Sequence, residues 1–362
     1  MWAMVTKEFR QLRRDRRTLA MMIVLPVLLL VVFGYAASFS VKEIPTIVVG
    51  PRAELVAPLL HAPFQVVAVD VDGTESTAKQ RLLVGAAVVG VVTRDSGVLV
   101  LLDGTQVFSV QTAESALARN ARTPGEAGFT AAAVRVQILY NPSLTTSWVM
   151  VPGLAGLILV FIGTLITSLG VVRERQSGTL EQLAVMPFRP WDVIIGKIVP
   201  YLMVAALDLA VIIVVGMAVF HVPFVGNVAT FLLGAALFLL VTLGMGVLIS
   251  TVSQNQGQAI QLAFMILLPQ VLLSGLIFPV ASMAAGVRWI SYVLPLTYFI
   301  RISRGVMLKG TPISALWQPI GLLAVLAVGV LGLAILRFRR DLAPNLRGTA
   351  EQGAGLLEGA NP

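Results

Sequence analysis

The chain offers few residues equipped for covalent chemistry. It has no cysteine, so disulfides, thiolate metal sites and cysteine nucleophiles are excluded. Its two histidines, His61 and His221, are too few for a histidine metal site and sit at a helix end and a turn. No Ser-His-Asp set is readable. The single Gly-Lys pair, Gly196-Lys197, is followed by Ile198, and Trp191 occupies the earlier glycine position. A phosphate-cradling loop needs glycine at that place and Ser or Thr after the lysine. Any nucleotide hydrolysis linked to this chain must come from another polypeptide. One acid, Asp208, interrupts an otherwise uncharged stretch from Ile198 to Val287. A charge at that depth of an apolar helix costs about 2.5–3.5 kcal/mol on insertion scales and usually faces a cavity or a partner. Lys197 lies about 16 Å away along a helix, too far to pair with it. Asp208 is read as a substrate-cavity or gating residue, as a buried polar contact, or as the mark of a misplaced span boundary. Gln254, Asn255, Gln256, Gln258 and Gln261 form a polar cluster that either solvates a turn or meets head groups. Gln270 lies deeper, where a buried amide needs a partner.

The elements that must hold these residues are membrane helices. Of 362 residues, 57% are hydrophobic and 12% charged, against about 25% charged in soluble domains. The net charge of +8 is placed in clusters. Six basic residues lie in Lys7–Arg17, four in Arg173–Lys197 and four in Arg337–Arg347. Each cluster abuts a long apolar run, the pattern of positive-inside anchoring rather than of nucleic-acid binding. Six spans are expected, at 19–39, 148–172, 193–219, 228–249, 258–278 and 316–336. The uncharged run Thr18–Val41 has 24 residues, longer than the roughly 7–15 of a signal peptide's apolar region. It reads as an uncleaved first span. Before it, Trp2, Val5, Phe9 and Leu12 share a face of an interfacial amphipathic helix over 1–18.

Residues 40–147 change character, with eight basic and nine acidic residues. Strand-like runs are expected at Ile44–Val49, Phe64–Val69, Ala86–Val92, Val98–Leu102 and Val134–Tyr140. Helices are expected at Glu54–His61, Ser76–Leu83 and Val107–Arg122. Pro, Gly and Asp punctuate the joins. This is a small α/β domain inserted between spans one and two. With the basic end of span one inside, the domain faces outward, and an even number of spans puts both termini in the cytoplasm. Two details sit uneasily with that scheme. The inner turn Ser250–Gln258 has no Lys or Arg, whereas the outer segment 280–315 has Arg288, Arg301, Arg304 and Lys309. That segment reads as aromatic and arginine anchoring at the interface, or as a re-entrant helix pair broken at Pro279 and Pro295.

The stretch Arg173–Pro187, RERQSGTLEQLAVMP, is the most informative. Thr179 and Gln182 suit a capping box, and Pro187 and Pro190 stop the helix. It is a short charged helix over 173–192, suited to docking a soluble partner. The same stretch resembles the coupling region of type-2 ABC (ATP-binding cassette) exporter permeases. That family has a charged pair, then Gly-Thr-Leu-Glu-x-Leu, then a later proline. Here these are Arg173-Glu174-Arg175, Gly178-Thr179-Leu180-Glu181-Gln182-Leu183 and Pro187. The basic start, the domain between spans one and two, STVSQNQGQAIQ with LLSGLIFP, and LPLTYFIRISRGVMLKG are similar as well.

The resemblance implies a non-enzymatic permease subunit. It would work as a homodimer or heterodimer in a bacterial plasma membrane. A separate subunit would bind ATP and Mg, and the cargo would be a drug, lipid or other amphiphile. Arg173, Glu174, Gly178, Thr179, Leu180, Glu181 and Leu183 would couple to the ATPase. Asp208, Gln261, Gln270 and Arg301 are candidates for the substrate pathway or gate. The competing readings are a membrane-anchored ligand sensor or assembly factor, and a membrane enzyme for which no nucleophile, base or metal set is present.

Overall fold

The computed structural model describes residues 41, 43–94, 97–121, 134–177 and 190–342. Within them β1 (Ile44–Val49) is followed by a short helix α1 (Ala53–Val56), β2 (Phe64–Asp70) and α2 (Glu75–Leu83). Then come β3 (Val89–Arg94), β4 (Gly97–Asp103), α3 (Val107–Ala121) and β5 (Val134–Leu139). The strands occupy the expected runs to within a few residues.

They form one sheet in the order β2-β1-β3-β4-β5. β1 pairs parallel with both β2 and β3, β4 returns antiparallel to β3, and β5 runs parallel to β4. The sequence pattern explains the order. β1 and β3 are almost uniformly apolar and are buried along nearly their whole length, as central strands covered on both faces should be. β2 and β5 carry exposed positions and form the two edges. One face packs Val48, Val100 and Leu102 against Val110 and Ala113 of α3. The other packs Ile47, Val49 and Leu101 against Ala78 and Leu82 of α2. Thr74 and Thr77 close a capping box at the start of α2. Glu75 beside them is held below its ordinary carboxylate range, first by the Lys79 hydrogen bond and also by Arg94.

The remainder is helical. α4 (Thr146–Gln176) contains a π turn at Ile162–Ile166. It is followed by α5 (Pro190–Phe220), α6 (Val228–Val252) and α7 (Gln256–Leu273). Two short helices, α8 (Ala285–Ser291) and α9 (Pro295–Arg304), come next. A π turn, Gly305–Lys309, ends α9, and α10 (Trp317–Leu342) completes the bundle. Five of these helices, α4, α5, α6, α7 and α10, are long and apolar enough to cross a membrane. The expected first span at 19–39, the amphipathic helix over 1–18 and the tail beyond 342 lie outside the described residues.

Three boundaries differ from the sequence reading. α4 continues four residues past Val172, so Arg173 and Glu174 belong to its last turn rather than to a separate helix. α7 stops at Leu273 instead of Phe278, because the chain turns at Gly275, whose φ is +87°. That region of backbone space favours glycine. The third concerns 280–315. Trp289 and Tyr292 are exposed, as interface residues should be, but α9 is not an anchoring segment. It packs against α4, α6 and α10, with Leu296, Phe299 and Ile302 fully buried. Phe299 stacks on Phe238 of α6 with centroids 4.5 Å apart. Gly156 of α4 makes room for it, since a Cβ there would stand 2.5 Å from the Phe299 ring.

α6 is the hub of the bundle, 61% buried over its apolar window, against 17% for α5 and 22% for α10. The latter two turn broad apolar faces outward. Asn227 caps α6 by accepting hydrogen bonds from the Ala229 and Thr230 backbone N–H groups. Asn255 caps α7 through the Gln258 N–H at 2.9 Å. Gln258 in turn accepts from the Gln254 N–H at 3.0 Å. Part of the polar cluster is thereby accounted for as turn chemistry.

Candidate functional site

Two ends of the bundle concentrate the polar residues. The first is the junction with the α/β domain. The π turn after α9 presents Lys309, whose ammonium lies 2.5 Å from Asp103 Oδ2 at the end of β4. Both side chains are nearly buried, at 9% and 2% exposure. Lys309 also donates to the Leu82 carbonyl at 3.0 Å and sits 5.4 Å from the centre of the Tyr140 ring. The other Asp103 oxygen accepts from the backbone N–H and hydroxyl of Thr105 at 3.1 and 2.7 Å. The pair is thus hydrogen-bonded on both sides, the condition under which a buried ion pair is tolerated. Burial, and then the Asp103 charge, push the Tyr140 phenol up to about 12, so it stays neutral beneath the ammonium. Thr311 adds a bond to the Leu83 carbonyl at 3.2 Å. On the other side of the π turn, the Val225 and Gly226 N–H groups donate to Met307 and Val306. One turn therefore ties together the sheet, α2, α9 and the α5–α6 loop.

Arg304, one helical turn back, bonds to main-chain carbonyls. It donates to Val149 of α4 at 3.0 Å and to Gly275 and Leu276 beyond α7 at 3.3 and 3.5 Å. Arg288 likewise caps carbonyls of Ala281 and Met283. These bonds account for basic residues that fitted poorly with the charge pattern. Arg288, Arg304 and Lys309 neutralise internal acceptors, so they are not free surface charge. Arg301 differs. It is exposed and makes no hydrogen bond or ion pair with the described residues.

A cavity of about 390 Å³ lies between this junction and the α/β domain, and Arg301, Arg304 and Lys309 all line it. Gln270 is fully buried and accepts from the Leu296 N–H at 3.4 Å, while its Nε2 has no partner among the described residues. Gln261 has a buried Oε1 without a partner. Asp208 is half-buried on α5, beside the exposed apolar positions Val204, Leu207 and Val211. Of the four candidates Arg301 lines this cavity, whereas Gln270, Gln261 and Asp208 are not among its lining residues.

The second polar end is where α4 stops. Arg175 donates to the carbonyls of Ser250 and Ser253, both at 3.0 Å. Gln256 donates to Gln176 at 3.0 Å. These bonds fix the last turn of α4 to the α6–α7 turn. Arg173 is exposed there and Glu174 half-buried. Gly178, Thr179, Leu180, Glu181 and Leu183 lie outside the described residues. The 31 residues of α4 span about 46 Å at 1.5 Å each. The helix thus joins the Arg175 clamp directly to the α/β domain.

The sequence reading missed the Asp103–Lys309 pair and the role of Arg304. Asp103 was legible only as turn punctuation, and its partner lies 206 residues away. The excess of basic residues in 280–315 was the one available signal.

Long apolar helices with a small α/β domain fixed to them define a multi-pass membrane protein. The chain belongs to the ABC-2 family of transporter proteins, whose family model matches residues 16–336. It is 28% identical to the probable multidrug ABC transporter permease YbhR of Escherichia coli, over 94% of this chain and 99% of that one. It is also 28% identical to the probable multidrug permease YbhS of the same organism, over 94% and 97%. ABC transporter G family member 20 of Dictyostelium discoideum is 29% identical over 47% of this chain and 23% of its own. The protein is a multi-pass permease subunit of an ABC transporter.

Proposed function

We propose that this permease exports a hydrophobic or amphipathic substrate, a drug or lipid, driven by ATP and Mg held in a separate ATP-binding subunit. The supporting observation is the clamped end of α4. Arg175 fixes that end to the α6–α7 turn. The segment Gly178-Thr179-Leu180-Glu181-Gln182-Leu183 follows it at once. A push delivered by a docked ATPase at this segment enters a continuous helix whose far end abuts the α/β domain. Arg173, Glu174, Gly178, Thr179, Leu180, Glu181 and Leu183 are the docking residues in this reading. The α/β domain, residues 40–147, faces outward, both termini are cytoplasmic, and the membrane is a bacterial plasma membrane. A second permease copy, identical or homologous, completes the pathway. The exposed apolar face of α5 with Asp208 at its margin is the surface suited to line it, and Gln261, Gln270 and Arg301 contribute polar groups. The multidrug naming of the bacterial relatives supports the choice of cargo.

The test is ATP-dependent movement of a fluorescent amphiphile in vesicles holding the permease and its ATP-binding subunit. Changing Gly178, Leu180 and Glu181 together to alanine-like or neutral residues should abolish ATP-dependent transport while membrane insertion and melting stay unchanged. Asp208→Asn should lower transport without altering ATPase association. Undiminished transport in the triple variant refutes the coupling assignment. Purification of the permease without any ATP-binding subunit, even when both are co-expressed, favours the sensor or assembly reading.

A further inference from the structure

The cavity at the junction has a chemistry that the coupling model does not require. Its volume, about 390 Å³, lies within the usual range of small-molecule sites, roughly 300–1,000 Å³. Among the described residues, three cations line it: Arg301, Arg304 and Lys309. Lys309 is neutralised by Asp103, and one exposed acid, Glu43, sits on the α/β side. The balance among the described residues is one net positive charge, counted as three cations minus Asp103 and Glu43. Arg304 is held rigidly by its three carbonyl bonds, and a guanidinium has five N–H donors, so it has donors to spare. Arg301 has no partner among the described residues and offers its whole fork.

Two wall residues add an independent observation. Ser274 and Thr297 both line the cavity and are each 1% exposed. Neither hydroxyl has a hydrogen-bond partner among the described residues. Buried polar atoms are almost always paired in native proteins, with protein or with a bound molecule. Ser274 caps α7 and Thr297 lies in the first turn of α9, so the two hydroxyls come from different elements that both line the cavity. Val280, Ile300 and Leu316 supply apolar surface beside them. Guanidinium forks, donor hydroxyls and an adjoining apolar wall suit an oxyanion attached to a hydrocarbon chain. Phosphate, sulfate and carboxylate heads all share the required acceptor geometry.

We propose that this cavity is a binding site for the anionic head group of an amphiphile, with Arg301 and Arg304 as its oxyanion ligands and the apolar wall beside the chain. This goes beyond the export reading: it concerns recognition by the permease alone, and no ATP enters its test.

The experiment uses the full-length permease in phosphatidylcholine nanodiscs, with empty nanodiscs subtracted. The probes are decyl phosphate, inorganic phosphate and decyltrimethylammonium. Saturable binding of decyl phosphate is expected, much tighter than that of phosphate alone, with no saturable binding of the cationic amphiphile. Arg301→Gln should weaken decyl phosphate about tenfold, the worth of one charge-assisted contact. Arg301→Lys should recover part of the loss. Val84 lines the cavity from the α/β side and is 42% exposed. Val84→Trp should block the cavity while leaving the melting temperature unchanged. Absence of saturable binding overturns the proposal. So does equal binding of the cationic amphiphile, or binding that survives both Arg301→Gln and Val84→Trp. If phosphate alone binds as tightly as decyl phosphate, the site serves a free anion and the amphiphile assignment falls.

Discussion

Replacing Lys309 with methionine is expected to destabilise the permease by about 3–5 kcal/mol, the cost of leaving a buried carboxylate without its counter-ion. Asp103 is 2% exposed, so water cannot take over from the ammonium without opening the junction. An exposed pair would lose only about 0–1 kcal/mol, and the outcome therefore discriminates between the two environments. The loss should appear as early detachment of the α/β domain, because Lys309 and Thr311 hold α2 and β4 to the bundle through the Leu82 and Leu83 carbonyls and Asp103. Adding Asp103→Asn to Lys309→Met should restore much of the stability, since no charge then remains buried. Thermal unfolding of the purified single and double variants measures both effects. A melting temperature unchanged in Lys309→Met would show that the pair is solvated in the working protein. The cysteine-free sequence makes a second readout simple. Single cysteines introduced on the domain and on α10 can be labelled without background, and their separation should broaden only in the single variant.

The second large effect concerns the crossing of α4 and α6. A Cβ on Gly246 would stand 2.7 Å from the Gly163 carbonyl oxygen, 2.9 Å from that of Thr164 and 2.8 Å from Thr167 Cβ. A Cβ on Gly163 would meet Thr242 as closely, 2.4 Å from its hydroxyl and 2.8 Å from its Cβ. Two of the obstacles at Gly246 are backbone oxygens of the π turn, which cannot swing aside. Overpacking in a soluble core costs about 1–3 kcal/mol. Between membrane helices the loss weighs more, because lipid is as apolar as the helix and close packing supplies most of the association. Gly246→Val should therefore yield little monodisperse protein in detergent. Gly329→Val on α10 is the control, since nothing lies within 4 Å of a Cβ there. Gly170 makes a second, softer control. Its added Cβ would meet only the Tyr201 hydroxyl, at the end of a movable side chain. Equal yields from Gly246→Val and Gly329→Val would mean that the helices do not cross this closely.

Much of this protein was legible in its residues. The length and position of the apolar helices follow from composition, because about 20 apolar residues cover a bilayer and few soluble helices need so many. The five strands follow from short β-branched runs bounded by Gly, Pro and Asp, and their burial on one or both faces follows from whether polar residues interrupt them. Absence of a phosphate loop followed from two residues, Trp191 and Ile198. Tertiary structure alone decided the rest. Lipid and protein interior are equally apolar to a side chain, so hydrophobic pattern does not say which face of a membrane helix meets the bilayer and which meets a neighbour. Arginine and aromatic residues likewise left α9 open between an interface anchor and one half of a re-entrant pair, and only the fold shows Phe299 fully buried against α4 and α6. Charge is just as ambiguous. Arg304 and Lys309 looked like surface cations until the fold brought carbonyls from α4 and the turn after α7 to one and Asp103 to the other. A lysine and an aspartate 206 residues apart have no common signal in the chain. Only the folding of the sheet onto the end of α9 makes them a pair.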